Sequence, residues 1–215
     1  MKKVFKWFND GITNDNVFKR ILFLYLWFFI IYILIILISH ITFPEAFFRG
    51  KNPVTNSLVL SKSVLTICLQ IFFYNCLPLI LIVSSNLLAA KYKFLNQRFI
   101  PLGYLAFTTL TIICATYLGT WSFDMSIQAP SLIDRIVGSL DITHNSGLVE
   151  LSSYLIGAAA SYKISLWYCD SKKVLFRKRA KDIKFDISEK ALLLMSFVLL
   201  LSAALIEAIA ISKGG

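Results

Sequence analysis

The chain has 215 residues, of which 57% are hydrophobic and only 16% charged, against about 45–50% apolar and about a quarter charged in soluble domains. That balance excludes an ordinary soluble fold and predicts an all-α, polytopic integral membrane helix bundle. The net charge is +10, but the basic residues flank apolar runs instead of forming one basic face. This speaks against nucleic acid and for membrane topology and anionic headgroups.

In chain order, residues 1–20, MKKVFKWFNDGITNDNVFKR, form a polar cytoplasmic segment. It is too long and polar for a signal-peptide n-region, and the run that follows has no small-residue cleavage site, so that run is expected to stay as the first span. This span, about 21–41, is apolar all round and should face lipid over much of its surface. The second, about 64–90, holds Gln70, Asn75, Pro78 and Ser84-Ser85-Asn86, and Pro78 should kink it. The third, about 99–121, carries the small stripe Thr108, Thr111, Ala115 and Gly119. The loop PSLIDRIVGSLD places Leu132, Ile133, Ile136, Val137 and Leu140 on one helical face, with Asp134, Arg135 and Asp141 off it. It reads as an interfacial amphipathic helix or as a capped loop helix covering the bundle. The fourth span is about 147–168 and the fifth about 191–212. Residues 21–215 then make a single five-span domain.

Five spans alternate sides. One side collects the N-terminal segment, the loop with Lys91, Lys93 and Arg98, and the loop CDSKKVLFRKRAKDIKFDIS, with 15 basic residues against five on the other. The positive-inside rule puts the N-terminus in the cytoplasm and the C-terminus outside. Cys68, Cys76 and Cys114 lie in apolar runs and Cys169 beside the basic loop. With no CxxC pair, neither disulfide nor metal is expected, and no cofactor is implied.

Depth sorts the membrane charges. Lys163 falls near the cytoplasmic end of span four and can snorkel to the headgroups. Glu150, in the first turn of span four, and Glu207, late in span five, both fall in the outer third, with His144 just outside. These three form a candidate outer-side polar site. Glu150 leads the stripe Ser153, Gly157 and Ser161, and Glu207 sits on the stripe Ser196, Ala203 and Ala210. Small residues four apart let helices approach closely, so spans three, four and five should form the packed centre. Two carboxylates in low dielectric need a proton, a cation or a donor between them, whereas helix-terminal capping would be a purely structural use. No HExxH, G-x-S-x-G or P-loop occurs. Ser146 and His144 are neighbours without forming a dyad, so no catalytic residue is assigned and an intramembrane hydrolase is the least favoured class.

The stretches GLVELSSYLIGAAASYKIS and LLLSAALIEAIAIS resemble the stage II sporulation protein M family. Gly147 and Glu150 match its first Gly and Glu, and Ala203, Ala204, Ile206 and Glu207 match its second element. Asn75 stands where the family has an asparagine. Ser146 replaces the family's histidine, His144 lies two residues earlier, and the proline after the glutamate is absent. The resemblance covers about the last 75 residues. It implies a bacterial or archaeal five-span protein without established enzymatic activity. One family setting is a sporulation complex that anchors peptidoglycan-degrading proteins. The other is circular-bacteriocin maturation, export or immunity, often beside an ABC-type ATPase. The leading expectation is a non-enzymatic cell-membrane subunit that scaffolds or assists partner proteins. The alternative is a permease-like component handling an ion, proton or peptide through the glutamates. Expected partners are the lipid bilayer, other membrane or extracytoplasmic proteins and, in the export setting, that ATPase; a homo-oligomer stays open.

Overall fold

The computed structural model describes residues 2–50, 63–91, 99–123, 129–141, 146–170, 173–176 and 179–214. These residues are mostly helical: α1 (Lys2–Ile12), α2 (Val17–Thr42), α3 (Val64–Ser85), α4 (Leu102–Gly119), α5 (Leu132–Leu140), α6 (Gly147–Ala160) and α7 (Ile187–Gly214). Four of them, α2, α3, α4 and α7, are long and apolar enough to cross a membrane. The fifth apolar helix, α6, has 14 residues, about 21 Å at 1.5 Å per residue.

The polar N-terminal segment is structured. The Asn16 side chain caps α2 by accepting from the N–H groups of Phe18 and Lys19. α1 folds back so that Trp7 meets Phe23 edge-on, with centroids 4.6 Å apart. The Tyr104 hydroxyl ties the end of α1 to α4 by donating to the Ile12 carbonyl at 3.1 Å. Within the all-apolar α2, Leu24, Phe28, Tyr32 and Ile36 form the buried stripe at a spacing of four, while Leu22, Leu26, Ile30 and Leu34 are exposed. α3 runs as one helix through Pro78.

At three places the apolar runs expected to be helical turn into strands instead. A four-stranded sheet has the order β2-β1-β3-β4, with β1 Leu88–Lys91, β2 Phe99–Pro101, β3 Trp167–Asp170 and β4 Lys173–Phe176. β1 pairs antiparallel with β2 and parallel with β3, with Leu88 opposite Trp167; β3 and β4 form a hairpin. Thus residues 88–90, 99–101 and 167–168, expected at span ends, are strand. The cause lies in Asn86. Its side-chain amide donates to the Ala158 carbonyl at 2.9 Å and to Ser161 Oγ at 2.7 Å, and its carbonyl accepts from Ser165 Oγ at 2.7 Å. One residue stops α3 and satisfies the carbonyls that α6 leaves free at its end.

α6 is the central helix. Every residue from Ser153 to Ser161 is buried, with α7, α3, α2 and α4 around it. α4 packs chiefly on α2: a Cβ on Gly119 would lie 2.6 Å from the Ile36 carbonyl oxygen. The expected centre of spans three, four and five is therefore corrected to α6 alone, enclosed by the four long helices. α6 is apolar all round because all its faces meet protein, and for that reason it need not match the full hydrocarbon thickness.

Candidate functional site

Two polar nodes sit at opposite ends of α6. At its C-terminal end, Arg20 is wholly buried and its Nη2 meets Glu189 Oε1 at 2.5 Å, with both side chains 0% exposed. Arg20 Nε donates to the Ala159 carbonyl at 3.1 Å, and its Nη1 to the carbonyls of Asn14 and Asp15. Glu189 reaches back to the Asp186 N–H at 3.0 Å, the return half of a capping box at the start of α7. Lys163 bonds Asp186 at 2.6 Å and Glu189 at 3.1 Å. The expected snorkelling of Lys163 is thus replaced by ion pairs, since two carboxylates stand within reach. The Lys163 hydrogen bond holds the Asp186 carboxyl below its usual range. With a partner on each charge, this node is a clasp joining α2, α6 and α7.

The other end of α6 holds the expected glutamates. Glu150, half-buried in the first turn, accepts from Tyr154 Oη at 2.7 Å. The same hydroxyl lies 3.0 Å from the Asn75 carbonyl oxygen on α3. Glu207, on the antiparallel α7, lies within electrostatic reach of Glu150, with the Ser146 side chain near it. No described Lys or Arg pairs with either glutamate. The two carboxylates expected at one depth are therefore neighbours, while His144 lies outside the described residues. Tyr154 has one proton and two acceptors. A proton on Glu150 would pass the bond along, Glu150 donating to Tyr154 and Tyr154 to Asn75.

The packing residues fall as follows. Ser153 is buried and donates to the Ser196 carbonyl at 2.9 Å, linking α6 to α7. A Cβ on Gly157 would meet Leu79 Cδ1 at 2.5 Å. Ser161 joins the Asn86 cap, and Ala203 is fully buried. Ala210, expected on the same stripe, is exposed. Ala204 and Ala208 are buried instead, against Ile67, Cys68 and Ile71 of α3.

A cavity of about 590 Å³ opens beside Glu150, walled by α2, α4, α5 and α6. α5 closes one side, packing only Leu132 and Ile136 of the face the sequence implies against the core. Arg135 points inward, bonding the Pro130 and Gly119 carbonyls and pairing with Glu45, while Ile133 and Val137 are exposed. An inward arginine is stable here because three acceptors wait for it. Ser131 caps α5 at the Asp134 N–H. Tyr154, Asn86, the Arg20–Glu189 pair and the Arg135–Glu45 pair were not singled out as site residues by sequence reasoning. The D-x-x-E pattern of Asp186 and Glu189 was the legible signal for the clasp. Among the described residues no group of three His, Cys, Asp or Glu is placed to hold a metal ion. No protein-family model, curated protein or solved structure matches this chain.

Proposed function

We propose that the chain is a five-pass protein of a cell membrane, cytoplasmic at its N-terminus, and a non-enzymatic subunit of the stage II sporulation protein M type that scaffolds or assists partner proteins. The observation that carries this reading is that Glu150 and Glu207, the two glutamates on which the resemblance rests, lie within electrostatic reach of each other on the packed helices α6 and α7. Alternation is supported by which helix ends come together. The starts of α2 and α7 meet the end of α6 through Arg20, Glu189 and Lys163, and Asn86 brings the end of α3 there too. The basic loops flank this face, which makes it cytoplasmic, and the glutamates then lie in the outer half. The short α6 completes the fifth crossing inside a sleeve of other helices.

In this role the outer face offers a carboxylate site to an extracytoplasmic partner, and the basic stretch before α7 offers a cytoplasmic docking point for an ATPase. Tagged protein is purified from native membranes, with a Glu150→Gln variant and an unrelated five-pass protein beside it. A scaffold enriches a peptidoglycan-degrading or bacteriocin-associated protein, and Glu150→Gln reduces that enrichment. Enrichment no greater than with the unrelated protein would overturn the reading. The cavity beside Glu150 favours a second reading, a permease-like component; enrichment of an ABC-type ATPase together with substrate-dependent turnover would select it.

A further inference from the structure

The cavity beside Glu150 has the size of a small-molecule site, typically about 300–1,000 Å³, and its chemistry is one-sided. Three charged residues line it: Asp134, Arg135 and Glu150. Arg135 already has its charge paired with Glu45 and gives two further N–H groups to carbonyls. Asp134 is engaged by Ser131. Glu150 bonds Tyr154 through one oxygen only, and no described cation pairs with it. The charge left facing the cavity is therefore negative. Around it stand Tyr32 and Tyr117, whose rings attract cations, while the Trp121 ring already carries the Arg135 guanidinium 5.7 Å from its centroid.

Trp121 adds an independent observation. It follows the end of α4 at φ +48°, a left-handed position normally taken by glycine, and its buried Nε1–H has no partner among the described residues. A strained aromatic with an unmet donor on a cavity wall is a mark of a binding surface. A bare metal ion does not suit these walls, which are mostly apolar and offer too few grouped ligands.

We propose that this cavity binds an organic amine with an apolar body, its ammonium on Glu150 and its body along Tyr32, Leu118 and Leu151. The ring of Trp121 flanks the body, and the indole N–H is left for an acceptor on it or for a bridging water. The inference deepens the permease-like reading and rests on it for the role of Glu150, but not for which side Glu150 faces.

Two glycines permit a clean test. A Cβ on Gly138 or Gly147 would meet nothing within 4 Å, and both line the cavity. The first side-chain carbon of a leucine at either position therefore clashes with nothing among the described residues. The full chain in nanodiscs is titrated with hexylamine, hexan-1-ol and hexanoate at neutral pH, reading the thermal midpoint and intrinsic tryptophan fluorescence against empty nanodiscs. Hexylamine should raise the midpoint saturably, and the alcohol and carboxylate should not. Glu150→Gln should weaken the amine about tenfold or more, as loss of one charge-assisted pair implies. Gly138→Leu should remove binding while leaving the unliganded midpoint unchanged. Equal stabilisation by hexan-1-ol, or undiminished amine binding by Gly138→Leu, would overturn the site even if Glu150→Gln fails to fold. If hexylamine does not bind while partner enrichment comes out as above, the ligand is wrong and the scaffold reading stands.

Discussion

Arg20 and Glu189 show how far one residue pair can matter in this protein. Both are wholly buried, so removing either leaves a charge with no solvent to receive it. Glu189→Ala should destabilise the protein by about 3–5 kcal/mol, whereas a double replacement with Met and Leu should recover much of that loss. Thermal unfolding in detergent separates the two, and equal losses would mean the pair is hydrated. Asp186 belongs to the same clasp but is exposed, so its contribution is smaller and pH-dependent. Its folded pKa lies below the ordinary value of 3.8. Its stabilisation is therefore present above that value and lost as pH falls through the folded one. The midpoint should drop on acidification below about pH 4, where Asp residues ordinarily titrate, and Asp186→Asn should flatten that part of the profile. At the other end of α6, Glu150→Gln and Glu207→Gln should be non-additive by about 0.5–3 kcal/mol, because neighbouring charges couple. Additive losses would separate the two carboxylates. Both glutamates were legible in the sequence, since a charge inside an apolar run stands out. Tyr154 was not, since a tyrosine beside small residues looks like any other packing residue.

At the scale of the element, glycines record where helices touch. A Cβ on Gly157 would press on the end of the Leu79 side chain, which can repack, whereas on Gly119 it would press on the Ile36 carbonyl, which cannot move without α2. Gly119→Ala should therefore destabilise more than Gly157→Ala, while Gly157→Leu should exceed both by driving a branched chain between α6, α3 and α7. Ile30, exposed on α2, should tolerate leucine with no measurable change. Chemical unfolding of the set checks the order; a silent Gly119→Ala would show that α4 and α2 do not touch there. The sequence displayed these stripes but not their partners, because small residues say that something comes close without saying what. Helix ends were misjudged for a related reason. Leu87, Leu88, Ala89 and Ala90 prolong an apolar run, and it is the bonds from Asn86 to α6 and the pairing with β2 and β3 that hold the chain as β1.

For the whole molecule, orientation is the property that the scaffold reading depends on. In a cysteine-free background, Ser131→Cys should react with an impermeant thiol reagent applied to intact cells, and Lys181→Cys should react only after permeabilisation. Both positions are exposed, so a silent site would reflect its side of the membrane and not burial. The reverse pattern would invert the topology and put the glutamates inside.

The helical class and the long apolar helices follow from composition and spacing, because a bilayer tolerates few charges and helices advance by a constant rise. The tertiary structure decided that α6 is the enclosed helix, that Arg20 and Glu189 close one end of it, and that Arg135 turns inward beside a cavity. These are long-range pairings. Which acceptor waits for a given donor depends on a segment as many as 169 positions away along the chain, and no local pattern of residues carries that information.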